Sequence, residues 1–173
     1  MAKPPASSPT TLSPAAARER ELSRALVQNV FNKDTSLNDL LKLRVEDAPR
    51  FVALAAQYLE KDEVESAQSA AEAAVACDPN SMDAMASLGV TLAKNKEFSR
   101  AVVCFERVVQ QRPSDIAQWT NLGECYLATL KYSEAATAFR HAMELDPASE
   151  HPQGRRARAI VARTLMKLQK DQK

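Results

Sequence analysis

Apolar residues recur along the chain at helical spacing, and the helical stripes themselves repeat. In the stretch Trp119 to Pro147, the positions Trp119, Leu122, Tyr126 form one stripe at i, i+3 and i+7. A second stripe, Ala135, Phe139 and Ala142, follows after a polar turn, and Pro147 closes the pattern. Stepping back 34 residues gives Met85, Leu88, Gly89, Leu92, Ala101, Phe105, Val108 and Pro113 in place of Trp119, Leu122, Gly123, Tyr126, Ala135, Phe139, Ala142 and Pro147. A further step gives Phe51, Leu54, Ala55, Tyr58, Ala67, Ala71, Ala74 and Pro79. A ninth column holds Val64, Phe98 and Tyr132. Each column keeps one character, so three copies are expected over 48–81, 82–115 and 116–149. Each copy reads as two helices, a first (A) and a second (B). The tiny residue at Ala55, Gly89 or Gly123 lets helix B approach closely, and the proline ends helix B because the residue before it is pushed out of the helical region. Asp47, Ser81, Ser114 and Ser149 stand just ahead of helical patterns and are expected to cap them.

Two flanking segments extend the pattern. Leu22, Ala25, Leu26 and Val30 share one stripe, and Leu37, Leu40 and Leu41 follow a capping-box-like Ser36/Asp39 start, so N-terminal helices are expected over 15–47. Residues 150–173 carry Ala157, Ile160, Val161, Thr164, Leu165 and Leu168 on one face and basic residues elsewhere, as expected of a helix that caps the last repeat. Residues 1–14 are rich in Pro and Ser and are expected to be a disordered lead-in.

These nine columns resemble the tetratricopeptide repeat, over about 100 residues. The third copy matches the repeat's usual positions throughout, Trp119 and Pro147 included. The resemblance implies an all-α fold: a right-handed superhelical α-solenoid of three helix pairs, with N-terminal helices, a C-terminal capping helix and a concave groove lined by the A helices. The order of parts also resembles the class II chaperones of type III secretion, small cytoplasmic proteins whose groove takes an extended translocator segment. Against that group, the third copy is unusually regular and the Pro/Ser lead-in is atypical.

Composition agrees with helices and narrows the chemistry. The 173 residues include only 3 Gly and 5% aromatics, with abundant Ala, which is cheap to fix in a helix. No apolar run is long enough to span a membrane, and the N-terminus lacks an apolar signal core, so a cytoplasmic protein without a membrane partner is expected. Cys77, Cys104 and Cys125 lack CxxC spacing and read as reduced, semi-buried helix residues. His141 and His151 stand apart from any metal-ligand pattern, and there is no phosphate loop or nucleophile elbow. A non-enzyme without cofactor or metal is expected.

The conspicuous residues Leu54, Leu88, Gly89, Ala101, Phe105, Trp119, Leu122, Gly123, Tyr126, Ala135, Phe139 and Pro147 are assigned to the core. Function then rests on the residues between them. The resemblance places Val52, Ala53, Ala56, Ala86, Ser87, Val90, Ala93, Thr120, Asn121 and Glu124 on the groove side of the A helices. This lining is small and largely apolar in the first two copies. Two readings stand side by side: the groove takes an extended or helical partner segment by apolar anchors, or it is covered by an N-terminal helix of the same chain, its small residues serving curvature. The Lys/Arg clamp by which some such co-chaperones grip a C-terminal carboxylate is absent, since Val52, Ala56, Ser87, Ala117 and Asn121 hold its places.

Charge is uneven: residues 35–80 hold 9 acidic and 4 basic side chains, and residues 148–173 hold 7 basic and 2 acidic. The bland reading is two solvated faces; the functional one is steering of a partner or end-to-end association. An oligomerising scaffold built on Leu22, Leu26 and Val30 is the second function class. RNA binding by the Arg-rich last helix is a third, weakened by the lack of interleaved aromatics for base stacking.

Overall fold

The computed structural model describes residues 44–171. The lead-in and the helices expected before Arg44, with Leu22, Leu26 and Val30, lie outside the described residues. A 3-10 turn over Val45–Asp47 runs into α1 (Ala48–Glu60), followed by α2 (Val64–Cys77), α3 (Met82–Lys94), α4 (Phe98–Gln111), α5 (Ile116–Ala128), α6 (Tyr132–Glu144) and α7 (Pro152–Asp171). The described residues form an all-α solenoid of three helix pairs with a closing helix. The A helices begin at Ala48, Met82 and Ile116 and the B helices at Val64, Phe98 and Tyr132, each series spaced by 34 residues.

The turn inside each pair is built the same way, and no glycine is used. Asp62, Lys96 and Leu130 hold the same place in their pairs and take φ of 60°, 64° and 62°. The next residue's N–H then reaches back to helix A: Glu63 to the Tyr58 carbonyl at 2.9 Å, Glu97 to Leu92 at 2.8 Å, Lys131 to Tyr126 at 2.9 Å. This is the Schellman arrangement, which satisfies carbonyls the helix end would otherwise leave unpaired. Hydrophobic periodicity locates these turns but does not reveal their left-handed residue.

The two large columns make the core. Phe105, Val108, Leu92 and Ala101 are fully or almost fully buried between α3 and α4, and join Leu122 and Cys125 of α5 in one cluster. Phe139, Ala135 and Ala142 form a second cluster with Ala157 and Ile160 of α7. In the first pair the same columns hold Ala55, Ala67, Ala71 and Ala74, all fully buried. Leu54 and Leu88 are half-buried beside this alanine seam. Trp119 and Tyr126 are half-buried as well, each with its polar tip satisfied. Trp119 Nε1 donates to the Pro113 carbonyl at 2.8 Å, and the Tyr126 hydroxyl donates to the Glu106 carboxylate of α4. Pro147 is exposed and lies three residues past the end of α6.

Only Ser81 caps as expected, its hydroxyl accepting from Ala84 N–H at 3.2 Å. At α5 the cap is Asp115 rather than Ser114, its carboxylate accepting from Gln118 N–H at 3.2 Å. Asp47 makes no side-chain cap to α1; its carboxylate turns back to Arg44 N–H at 3.3 Å. Ser149 takes a left-handed φ of 61° three residues before α7, so it caps nothing there. The side chain that caps α7 is His151, whose Nδ1 accepts from Gln153 N–H at 3.2 Å, while Asp146, 6% exposed, holds the loop before the helix by accepting from Glu150 N–H at 2.9 Å and His151 N–H at 3.2 Å. A Cβ on Gly154 would lie 2.0 Å from Asp146 Oδ2, so the first turn of α7 can close over the carboxylate only because residue 154 is glycine. Arg158 locks the junction by donating to the Asp146 carbonyl at 2.6 Å.

The closing helix covers its neighbour incompletely. Ala157 and Ile160 are buried, and Val161 and Thr164 are half-buried. Leu165, expected on the covering stripe, is 55% exposed, and Met166 beside it is 64% exposed. The second half of α7 stands off, leaving a 330 Å³ apolar cavity between it and α5–α6, walled by Leu127, Tyr132, Phe139, Val161 and Leu165.

Candidate groove on the first helices of each pair

Helix periodicity carries side chains on the A helices away from the B helices, and two adjoining cavities open there. The first, of 290 Å³, is bounded by Val90, Ala93 and Lys94 of α3, Asn121 and Glu124 of α5, and Arg156 of α7. Phe98 and Phe105 of α4 contribute to its wall. The second, of 630 Å³, lies between α5 and α7 and is bounded by Glu124, Leu127, Arg156, Ala159, Ile160 and Arg163. Glu124 and Arg156 wall both, so their ion pair stands as a partition. Arg156 Nε lies 2.7 Å from Glu124 Oε1, an ionic contact with the N–H directed off the oxygen, while Nη2 donates a hydrogen bond to Oε2 at 2.8 Å. Burial pushes the Glu124 carboxyl above the ordinary carboxylate value near 4.5, against the pull of Arg156 and, more weakly, Arg163.

Of the expected groove residues, the structure brings Val90, Ala93, Asn121 and Glu124 together. Ala86 and Ser87 are half-buried one turn earlier on α3, outside both cavities. On α1, Ala53 and Ala56 are exposed and Val52 is half-buried, also outside both. Thr120 does not belong to the lining. It is fully buried, its hydroxyl within reach of the Ile116 carbonyl at 2.9 Å and the Gln153 carbonyl of α7 at 3.2 Å, so it anchors the closing helix instead. Sequence reasoning missed Lys94, Arg156 and Arg163. The two arginines are seven residues apart, hence on one helix face, with Ile160 buried beside them. That spacing was the available signal.

The remaining basic residues at the start of α7 serve the fold. Arg155 donates to the Ser149 and Glu150 carbonyls, and Arg158 to those of Met143 and Asp146. The three cysteines are buried thiols; burial raises Cys77 and Cys104, and pushes Cys125 up to about 12. Among the described residues no His, Cys, Asp or Glu cluster could hold a metal ion, and no helix is long and apolar enough to cross a membrane.

Comparison with known proteins agrees with this geometry. Residues 60–142 match the family described as anaphase-promoting complex, cyclosome, subunit 3. The chain is 39% identical over 61 residues to superkiller protein 3 of Schizosaccharomyces pombe, covering 35% of this chain and 4% of that protein. It is 29% identical over 112 residues to the general transcriptional corepressor ssn6 of the same yeast, covering 65% of this chain and 10% of that one. The chain thus spans a small part of the curated relatives it matches. Among solved structures, the TPR2B domain of yeast Sti1, in a complex with pHsp70, superposes with a TM-score of 0.64 at 15% identity, covering 70% of this chain and 98% of that one. PcrH, solved with the chaperone binding region of PopB, superposes with a TM-score of 0.60 at 17% identity, covering 66% and 94%. At such identities the likeness is one of fold. The 34-residue period, the three helix pairs and these superpositions give the described residues the fold of the tetratricopeptide-repeat domains.

Proposed function

We propose that this protein is a non-enzymatic interaction module that holds an extended or helical segment of a protein partner along the groove of α1, α3 and α5. The observation that carries this reading is the pair of adjoining cavities, with small apolar side chains at Val90 and Ala93 and polar groups at Asn121 and Glu124. Apolar pockets give anchors, and a few polar groups fix orientation. Similar folds whose structures contain a peptide or a chaperone-bound region support it. The exposed Ala53 and Ala56 extend the apolar lining onto α1. Ala56→Glu places a charge at an exposed position of this lining, and Val90→Arg places one at a half-buried position beside the core cluster. Affinity capture with wild type and both variants tests the reading. Partners retained by wild type are expected to be lost from both, with circular dichroism and cooperative unfolding unchanged. Retention by both folded variants would place the binding site elsewhere.

The narrower form of this reading is a cytoplasmic chaperone for a secreted translocator, supported by the likeness in fold to PcrH. Secretion-apparatus genes beside this one would support it, and their absence from every occurrence of the gene would remove it. The alternative is an oligomerising scaffold. It draws support from the apolar end of the solenoid, where Leu130, Tyr132, Leu165 and Met166 are each more than half exposed. Sedimentation of the full chain and of a chain lacking residues 1–34 separates two routes to self-association. A dimer lost on truncation assigns it to Leu22, Leu26 and Val30, and a dimer retained assigns it to the α6–α7 end. RNA binding is disfavoured because Arg155, Arg156 and Arg158 are already engaged with their own chain.

A further inference from the structure

The two cavities carry more positive than negative charge. Lys94, Arg156 and Arg163 reach them from α3 and α7, against the one carboxylate of Glu124. Among the described residues, neither Lys94 nor Arg163 has an ion-pair or hydrogen-bond partner. Arg156 shows how the site treats a carboxylate, since it grips that of Glu124 through two nitrogens within 2.8 Å. A guanidinium can make two parallel hydrogen bonds to a carboxylate, and with Glu124 it makes one. Glu124 Oε1 nevertheless lies buried without a hydrogen bond, so the pair is imperfectly satisfied as it stands. Beyond Arg156 the 630 Å³ cavity leads to the exposed Arg163, with Ile160 and Leu127 on its walls.

We infer that the α5–α7 end of the groove is a subsite for acidic side chains of the bound segment, received by Arg163 and Arg156, with Glu124 standing in for the incoming carboxylate in the free protein. This deepens the groove reading above and rests on it. The bound segment is then apolar where it passes Val90 and Ala93 and acidic where it reaches α7. The proposal differs from capture of a chain terminus, because the cavity is open along the helix and the acid can lie inside the segment. Lys94, at the other side of the partition, extends the positive field toward α3 and favours a second acid one or two residues away.

The test uses a display library of random 12-residue peptides held at both ends, so that no free C-terminus is offered, selected on the full chain. Wild type is expected to enrich peptides with apolar residues followed by Asp or Glu. Arg163→Glu, at an exposed and unpaired side chain, is expected to keep the melting temperature, lose the acidic preference and weaken selected peptides by about tenfold. Glu124→Gln removes the internal competitor and is expected to tighten them a few-fold. Three results would overturn the proposal. Peptides that bind, are blocked by Val90→Arg and show no acidic preference would leave the groove reading standing and remove the acidic subsite. No selected peptide at all would remove both. A labelled 20-nucleotide oligouridine that binds in an Arg163-dependent way while acidic peptides are indifferent to Arg163→Glu would assign the basic face to nucleic acid.

Discussion

Phe105 of α4 fills the space where a side chain on Gly89 of α3 would begin: a Cβ there would lie 2.7 Å from Phe105 Cε1. Gly123 and Phe139 repeat the relationship one pair later, again at 2.7 Å. The first pair solves the same contact differently, with Ala55 against a seam that carries Ala71 in the phenylalanine column, both fully buried. A methyl is admitted on helix A where helix B has no ring, and excluded where it has one. Gly89→Ala is therefore expected to destabilise the fold by about 1–3 kcal/mol through overpacking, despite alanine's better helix propensity. Urea unfolding of Gly89→Ala, Phe105→Leu and the double variant measures it, and the double variant is expected to recover part of the loss, because leucine leaves room for the methyl.

The left-handed turn residues offer a gain rather than a loss. Leu130 sits at φ 62° and is 70% exposed, so its side chain adds backbone strain and little packing. Leu130→Gly is expected to raise stability by about 0.5–1 kcal/mol, seen as a higher melting temperature. An unchanged or lower value would mean that the conformational freedom glycine adds to the unfolded chain outweighs the strain relieved.

The Asp146–Gly154 junction governs α7. Gly154→Ala forces a methyl onto the Asp146 carboxylate, and Asp146→Ala leaves the Glu150 and His151 N–H groups without their acceptor. Each is expected to cost about 1–3 kcal/mol. Hydrogen exchange is expected to show lost protection confined mainly to α7, since α1 to α4 do not depend on the junction.

Glu124 gives a pH dependence of definite sign. Its folded-state pKa is raised, so the folded protein holds this proton more tightly than the unfolded chain. Its contribution to stability is most favourable below the ordinary carboxylate value near 4.5 and is lost as pH rises through that value toward the folded one. The stability of Glu124→Gln relative to wild type is therefore expected to improve between pH 4 and pH 7. A difference that stays flat across this range in denaturant titrations would show that Arg156 fully offsets the burial.

Thiol reactivity checks the core between α4 and α5. Cys125 is 2% exposed with its pKa pushed up to about 12, burial being the main cause and Glu124 adding to it. Native protein is expected to react slowly with a thiol-specific disulfide reagent at pH 8, and unfolded protein to release all three thiols at once.

The repeat was legible because packing writes it directly into residue type. Gly89 meets Phe105 across a pair, and Leu88 and Ala101 belong to the same packed core, so each position constrains composition at a fixed offset, and the offsets recur. Part of the groove was legible less directly, since the resemblance to the repeat placed Val90, Ala93, Asn121 and Glu124 on the face that lines the cavities. Thr120 escaped that rule because its hydroxyl is claimed by the Gln153 carbonyl of a helix more than thirty residues away. Ser114 and Ser149 yielded their capping places to Asp115 and His151, because several polar side chains can cap and only the path of the loop decides which one reaches.

Local periodicity and side-chain volume by themselves determined that this chain forms helix pairs, where each begins, and which residues face inward. Tertiary structure alone decided how α7 sets its arginines beside Glu124, how far its second half stands off from α6, and which carboxylate closes its first turn. The physical reason is that buried apolar contacts repeat at short, regular separations, whereas ion pairs and open cavities form between residues whose meeting depends on the angle at which whole helices cross.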